Sequence, residues 1–245
     1  MDNYTNSAIS DDIFYDENAH KYTNTPLFKG LTKYVSLNGS AGGFDVGNGV
    51  ACLSDIKVFG YTGTGAKRRS AKISWIVIHY TAGCTSRQGA AKSCCYAWVK
   101  RCADTPNNPG SADLAVDDVE TWQFTPNIDE YSTCHSGGHY RSVYPPKCKG
   151  KCGNSNSIGI ELCSSFKSGY GSMNDPNHGV WYFTDAVIRR GIELTRALMQ
   201  KYNIDKSHIC RHYDCSGKLC PGIIGWNPEP GSNDESQWLR FLATL

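Results

Sequence analysis

The stretch ISWIVIHY, residues 73–80, is a nearly unbroken run of β-branched and aromatic side chains. Such a run is typical of a strand that is buried on both faces, at the centre of a sheet covered by helices. Its one strongly polar side chain is His79, next to the end of the run. A buried histidine usually finds a hydrogen-bond partner in the core, so His79 alone favours a structural role. The stretch therefore predicts a central strand with an imidazole near its carboxyl end.

The chain on either side alternates between strand and helix patterns. LAVDDVETWQF (114–124) predicts two strands joined by a turn near Asp117 and Asp118, and SIGIELCSSF (157–166) predicts another strand. A helix is predicted over RQGAAKSCCYAWVKRCA (87–103) with Thr85 or Ser86 as its cap. FTDAVIRRGIELTRALMQKYNI (183–204) has the period of an amphipathic helix capped by Thr184, and WLRFLATL (238–245) predicts a short helix or tail. These elements indicate an α/β or α+β protein with one central sheet.

Composition limits the classes of protein that fit. The 245 residues have a net charge of +2 and are 40% apolar and 20% charged, which is typical of a globular protein and gives no support for a nucleic-acid partner. No run approaches the roughly 18 apolar residues of a membrane span, and the acidic start lacks the apolar segment of a secretory signal. Residues 1–66 have no sustained periodicity, so we predict an N-terminal extension over 1–66 and a folded domain over 67–245.

Cysteine is unusually frequent, at twelve residues. An even number suggests disulfides in an oxidising compartment, but the lack of a predicted signal peptide favours a reducing one, where metal binding is the competing explanation. Cys148 and Cys152, in CKGKC, have a spacing found in zinc sites. Two alternatives stay open for them. They form a disulfide, or they join Cys134 and one of Cys94, Cys95 and Cys102 in a structural metal site.

The segment CRHYDCSGKLCPG (210–222) concentrates reactive side chains without helical or strand periodicity. His212 and Cys220 are eight residues apart on a glycine-containing loop, and His79 is available as a third ligand. Three nitrogen and sulfur ligands with an open fourth position are the pattern of catalytic zinc. Cys210 and Cys215 are close enough in sequence to compete, so spacing leaves both catalytic and structural zinc open.

Three motifs in a fixed order carry a family resemblance. IVIHYTA (76–82), SIGIEL (157–162) and H-x-D-x-S-x-K-x-C-P (212–221) resemble the zinc-dependent N-acetylmuramoyl-L-alanine amidases, a family that includes a phage lysozyme, AmpD and the peptidoglycan recognition proteins. The resemblance covers about residues 70–230. It implies an α/β fold with a central mixed sheet flanked by helices. It also implies hydrolysis of the amide between N-acetylmuramic acid and L-alanine in peptidoglycan, with one catalytic Zn²⁺.

The resemblance also implies a role for individual residues. His79, His212 and Cys220 match the zinc ligands, Glu161 matches the general base, and Lys218 matches the lysine that stabilises the tetrahedral oxyanion. A glutamate in an apolar strand fits the base role, because burial raises the pKa of a carboxyl group toward a useful value.

Two positions depart from the pattern of relatives. Ala112 occupies the place of a tyrosine that acts as the base in some members, which leaves that role to Glu161. Asp113 stands where many relatives have a groove-side residue, so substrate contacts there change. The resemblance further predicts His135 and Thr81 as substrate-binding residues. A local hydrogen bond is the alternative for His135.

The biological setting that fits is a phage lysin. We expect an endolysin held in the host cytoplasm until a holin releases it to the cell wall, or a lysin carried in the virion with residues 1–66 as a virion or wall anchor. A second, structural zinc stays open. The alternatives are a cytoplasmic recycling amidase, a non-catalytic peptidoglycan-binding module and a structural zinc module of a virion.

Overall fold

The structure is a computed structural model that describes residues 53–83, 85–137, 147–166, 181–227 and 235–245. Most of the predicted N-terminal extension, and with it the predicted anchor, lies outside these residues. Within the described ranges, no helix has the length and apolar character needed to cross a bilayer.

A mixed sheet forms the centre of the fold, as predicted. The strands of the described residues are β1 Lys57–Val58, β2 Lys67–Arg68, β3 Trp75–Tyr80, β4 Leu114–Val116, β5 Thr121–Gln123, β6 Tyr131–Ser132, β7 Ser157–Leu162, β8 Ser165–Phe166, β9 Trp181–Tyr182 and β10 Ile209–Arg211. Six of them make one sheet in the order β1-β5-β4-β7-β3-β10. All its pairs are parallel except β4 with β5. The run 73–80 therefore contains an inner strand, β3, and four of the six residues of β3 are buried.

Helices cover the sheet. They are α1 Ala90–Asp104, α2 Asp185–Tyr202, α3 His212–Ser216 and α4 Ser236–Thr244, with a 3₁₀ turn at Lys206–His208. The predicted cap of α2 is confirmed, since the Thr184 hydroxyl accepts a hydrogen bond from the Val187 N–H. The apolar face of α2 joins β3, β4 and β7 in the main core. Burial of this face anchors the strands that carry the site.

The start of α1 differs from the sequence-based prediction. The helix begins at Ala90, and neither Thr85 nor Ser86 caps it. The Ser86 hydroxyl instead lies 2.8 Å from the Ser165 hydroxyl. Asp117, from the β4–β5 turn, accepts the hydrogen bond of the Ala91 N–H at 3.1 Å. A side chain from another part of the chain has taken the capping role, which sequence spacing does not reveal.

The sheet extends further toward the N-terminus than predicted. β1 pairs in parallel with β5, and the N–H groups of Phe59 and Tyr61 donate to the carbonyls of Gln123 and Phe124. Tyr61 also stacks on Phe124 with ring centroids 4.8 Å apart. The predicted boundary at residues 66 and 67 therefore falls inside the packed fold.

The segment 210–222 is more regular than its sequence suggests. Its first residues complete β10, and His212 opens the five-residue helix α3, which ends at Gly217 with a φ of 79°. The fully buried Arg211 pairs with Asp214 at 2.8 Å and with Glu235 at 2.6 Å. These ion pairs hold the segment where α3 leaves the sheet.

Candidate active site

Neighbouring strands bring the predicted site residues together. β3 and β7 pair in register so that His79 lies opposite Glu161. On the other side of β3, Arg211 lies opposite Ile78, which places His212 just beyond the end of β10 and beside His79. Their rings are 4.8 Å apart, centroid to centroid. Cys220 is held next to α3, because its carbonyl accepts a hydrogen bond from the Tyr213 N–H.

His79, His212 and Cys220 form a compact donor group. One potential ligand atom from each residue lies within 4.8 Å of the other two, and all three residues are buried. The Cys220 sulfur is 3.6 Å from His79 Nδ1. Two imidazoles and one thiol at the end of a sheet therefore point toward a common centre.

A hydrogen-bond chain fixes which nitrogen of His79 faces that centre. The Ser157 hydroxyl donates to the Gly153 carbonyl at 2.6 Å, so its oxygen accepts from His135 Nε2, 3.1 Å away. His135 Nδ1 is then the acceptor for His79 Nε2–H, at 3.3 Å. His79 Nδ1 keeps its lone pair and faces Cys220. This arrangement is the usual one in metal sites, where a partner of the outer nitrogen selects the ligating tautomer.

His212 is oriented in the same way by backbone. Its Nε2 lies 2.9 Å from the Gly137 carbonyl, which only accepts hydrogen bonds, so Nε2 carries the proton. Its Nδ1 is buried and has no hydrogen-bond partner within the described part of the chain. Asn154, which the sequence did not single out, supports this geometry. Its side-chain oxygen accepts from the N–H groups of His135 and Ser136, next to Gly137.

Burial keeps these imidazoles neutral. Desolvation, assisted by neighbouring imidazoles and Lys218, holds the pKa of His79 well below its usual range. Burial lowers the pKa of His212 to about 4 and that of His135 to about 3. Neutral imidazoles have the lone pair that metal binding requires. Burial also raises the pKa of Cys220 to about 12, so a metal that binds there must displace the thiol proton.

Glu161 is an unusual carboxylate. Its Oε2 atom is buried and finds no hydrogen-bond donor in the described residues. Desolvation raises the pKa of Glu161 to about 8, against an opposing effect of the Lys218 charge. A carboxyl group with that pKa exchanges a proton near neutral pH. The ammonium of Lys218 is near enough to Glu161, His79 and His212 to affect the pKa of each.

One cavity of about 560 Å³ joins these groups to the surface. Its walls include His79, His212, Glu161, Lys218 and Thr81. Thr81 is held by backbone, because its hydroxyl oxygen accepts from the N–H groups of Gly83 and Ser164 at 3.1 and 3.2 Å. Residues of α1 and the loop that follows it also line the cavity, among them Trp98, Arg101 and Asn108.

His135 belongs to the lining of the same cavity, but its side chain is turned into the core. Its side chain is 0% exposed and is enclosed by His79, Ser157 and Asp113. Gly159 makes room for the ring, since a Cβ there would lie 2.6 Å from His135 Cγ. The ring thus sits behind His79, where it orients that residue. The predicted alternative of a local hydrogen bond is present, and a substrate-binding role of His135 stays a prediction.

Asp113, in contrast, is not among the residues that line the cavity. Its side chain is 0% exposed, lies 3.5 Å from Arg69 Nη2 and accepts the Gly159 N–H at 2.8 Å. The neighbouring Ala112 is fully buried too. Both departures from the family pattern therefore lie in the core rather than on the substrate path.

The predicted cysteine set is rearranged. Cys148 and Cys152 are buried beside Cys210 and Cys215, whereas Cys134 lies elsewhere, close enough to Cys102 to raise the pKa of its thiol. Cys94 and Cys95 are on α1, away from that cluster. The ten cysteines in the described ranges are all free thiols. The grouping of Cys134 with Cys148 and Cys152 is therefore not found.

The family profile described as N-acetylmuramoyl-L-alanine amidase matches residues 69–223, which hold every residue of the donor group. The chain belongs to this amidase family. A curated relative, the N-acetylmuramoyl-L-alanine amidase CwlL of Bacillus licheniformis, is 27% identical over 187 residues, or 76% of this chain. The aligned region spans 44% of CwlL, so the chain matches less than half the length of that relative.

Solved structures show the amidase fold. The chain superposes on a mutant endolysin from Bacillus subtilis with a TM-score of 0.51 and 21% identity, covering 77% of this chain and 97% of the other. The PlyG catalytic domain gives a TM-score of 0.51 and 22% identity, with 76% and 90% covered.

The donors of this amidase-family chain fit a zinc ion. Two neutral nitrogens and one sulfur, with a cavity on the remaining side, are the ligand types and number of a catalytic zinc site. The otherwise unsatisfied Nδ1 atom of His212 is the observation that a bound cation would explain best.

Proposed function

We propose that the protein hydrolyses the amide between N-acetylmuramic acid and L-alanine in bacterial peptidoglycan and that it requires zinc. The observation that carries this proposal is that His79 and His212, which form a donor group with Cys220, line one cavity together with Glu161 and Lys218. Amide hydrolysis needs an activated water, stabilisation of negative charge and a proton for the leaving amine. These five residues cover all three needs.

His79, His212 and Cys220 would hold the zinc ion through Nδ1, Nδ1 and Sγ. When bound, zinc supplies a Lewis acid that polarises the scissile carbonyl and acidifies an attacking water. The orienting contacts of His79 and His212 leave their Nδ1 lone pairs directed at that position before any metal arrives.

Glu161 is placed to move the proton. As the carboxylate, it accepts a proton from the attacking water, and as the acid it returns that proton to the leaving nitrogen of L-alanine. Its raised pKa suits both directions of transfer near neutral pH. The lack of a hydrogen-bond partner for Oε2 in the described structure leaves that atom available for water.

Lys218 is placed to stabilise negative charge on the carbonyl oxygen of the tetrahedral intermediate. A compact ammonium in a buried cavity interacts strongly with charge that develops in the transition state. α3 and Gly217 direct the chain so that Lys218 lines the same cavity as Glu161.

The test is digestion of purified peptidoglycan followed by mass spectrometry of the fragments. We expect stem peptides with a free L-alanine amino group, no new reducing sugar ends, and loss of activity with a chelator that added zinc reverses. Cys220→Ser should lose both activity and one bound zinc, because a hydroxyl is a poor anionic ligand. Cys94→Ser, which removes a thiol outside the donor group, is the matched control. New reducing ends in place of free L-alanine would overturn the proposal.

We further propose that the chain acts as a phage lysin, either an endolysin released by a holin or a virion-associated lysin. Membership of a cell-wall amidase family supports an action on the host wall. Mass spectrometry of purified virions distinguishes the two forms, since only a virion lysin is present in the particle. A protein found in neither infected cells nor virions would exclude both forms.

A further inference from the structure

Four cysteines outside the amidase site form a second buried cluster. Cys148 and Cys152 come from the turn before β7, Cys210 lies in β10 and Cys215 in α3, and all four pack with Val77. Each is at most 9% exposed. The proposed amidase mechanism uses none of them.

The distances between their sulfurs have the dimensions of a metal site. Cys210 Sγ is 3.9 Å from Cys152 Sγ and 3.6 Å from Cys215 Sγ, and these three sulfurs lie within 4.8 Å of one another. Cys148 packs in the same buried cluster as these three residues. Tetrahedral zinc with Zn–S bonds of about 2.3 Å places any two sulfurs roughly 3.8 Å apart. A disulfide needs about 2.05 Å, and Cys210 is nearly equidistant from two partners rather than paired with one.

The sequence spacing and backbone agree with these distances. Cys148 and Cys152 are separated by three residues and Cys210 and Cys215 by four, and both spacings occur in structural zinc sites. The Cys148 carbonyl accepts hydrogen bonds from the N–H groups of Lys151 and Cys152, which closes the turn. Gly150 in this turn has a φ of 76°, a conformation that favours glycine. The turn therefore directs both thiols to the same side.

Local charge also favours a metal. Four thiolates around one dication leave two negative charges in excess, which a buried site must balance. Lys149 and Lys151, both exposed, flank the cysteines of the turn and supply positive charge there, whereas Lys147 pairs with Glu235 at 3.8 Å. The two pairs come from segments about 60 residues apart in sequence, so a shared ion would tie the turn to β10 and α3.

We propose that Cys148, Cys152, Cys210 and Cys215 bind a structural zinc ion. Arg211 alone separates Cys210 from His212, and the anchored turn leads to Asn154 and Ser157, which orient the imidazole side of the amidase site. The ion would therefore hold in place both the helix that starts with His212 and the residues behind His79. This proposal is independent of the proposed amidase function.

The test is the zinc content of the reduced, purified full chain, measured by elemental mass spectrometry. We expect two zinc ions per chain in the wild type, one in Cys152→Ser, one in Cys220→Ser and two in Cys94→Ser. A single zinc that persists in Cys152→Ser and disappears in Cys220→Ser would overturn the structural site while leaving the catalytic one. A single zinc that is lost in Cys152→Ser and kept in Cys220→Ser would support the structural site and overturn the catalytic one.

A second measurement needs no variant, in case Cys152→Ser fails to fold. Cobalt substituted into the wild-type protein should show the intense sulfur-to-metal charge-transfer bands of a four-thiolate site, beyond what one cysteine gives. The intact mass of the protein, measured under non-reducing conditions, tests whether the four cysteines form disulfides instead. A mass lower by two hydrogens per cysteine pair, with digestion fragments that link these four residues, would establish disulfides and overturn the proposal.

Discussion

Two carboxylates of the central sheet region, Asp113 and Glu161, have opposite surroundings. Asp113, just before β4, accepts the Gly159 N–H at 2.8 Å and lies 3.5 Å from Arg69. Glu161, on β7, has a buried Oε2 atom without a hydrogen-bond partner in the described structure. Burial raises the pKa of both, to about 6 for Asp113 and about 8 for Glu161. The donors around Asp113 account for its smaller shift.

The contrast separates a structural group from a reactive one. Arg69 is 3% exposed and donates to the carbonyls of Ile128, Tyr131 and Ser157 as well as approaching Asp113. Asp113 is thus part of a satisfied network that holds loops together. A carboxylate with an unsatisfied oxygen at a cavity is costly for folding, and such groups are typical of sites where chemistry occurs.

The largest effect is expected for Glu161→Gln. This substitution keeps the shape of the side chain but removes its ability to accept and return a proton, so kcat should fall by about 10² to 10⁴. Zinc content should remain that of the wild type, and the variant should be no less stable at neutral pH, because it removes a carboxylate whose pKa burial raises to about 8. Assays of peptidoglycan hydrolysis with elemental analysis check this. A wild-type kcat in Glu161→Gln would show that Glu161 is not the general base. Glu161 would then be a structural group, as Asp113 is.

Arg69→Met should destabilise the fold by about 3 to 5 kcal/mol, because it leaves Asp113 and several carbonyls buried without their partner. Arg68→Met is the matched control. Arg68 pairs with Glu130 at the exposed surface, where such a pair contributes at most about 1 kcal/mol. Denaturant unfolding of both variants measures the difference. Equal losses of unfolding free energy in the two variants would show that the network around Asp113 does not stabilise the fold.

Lys218→Ala should lower kcat by about 10² to 10³ with little change in KM, because the charge that Lys218 meets exists mainly in the transition state. Lys218→Arg keeps a positive charge in a broader, planar form and should recover part of the rate. Steady-state kinetics on a soluble muropeptide check both. A change confined to KM would instead make Lys218 a substrate contact.

The smallest effect concerns pH. Folding raises the pKa of Glu161 from about 4.5 to about 8, so its contribution to stability is complete below pH 4.5 and is lost as the pH rises toward 8. Asp113 loses its own contribution between about pH 3.8 and 6. Between pH 6 and 8, Glu161→Gln should therefore flatten the stability profile at matched zinc content. An unchanged slope in this interval would show that Glu161 does not titrate there.

The sequence predicts the regular parts of this fold well. The apolar strand 75–80, the Asp117–Asp118 turn and the Thr184 cap depend on local patterns, and the structure confirms them. The mixed sheet flanked by helices follows from the same elements and from the family motifs.

The features that the sequence-based prediction missed depend on tertiary contacts. Asp117 takes over the cap predicted for Thr85 or Ser86 from a different segment. Cys210 joins Cys152 across 58 residues, and no local pattern predicts that partnership. For the candidate site, the sequence motifs contain the residues that the sheet brings together. The catalytic roles of these residues stay predictions. The burial of His135 and Asp113 depends on Arg69, Ser157 and Gly159, which carry no chemical motif.

The sheet order determines when the candidate site can exist during synthesis. β3 lies between β7, about 80 residues later, and β10, about 130 residues later. Contacts so distant in sequence form late in folding. A nascent chain that has emerged only as far as α2 contains His79 and Glu161 but neither His212 nor Cys220. Residue 220 therefore has to leave the ribosome before the three proposed zinc ligands can meet, so the synthesis of residues 203–220 completes the candidate site.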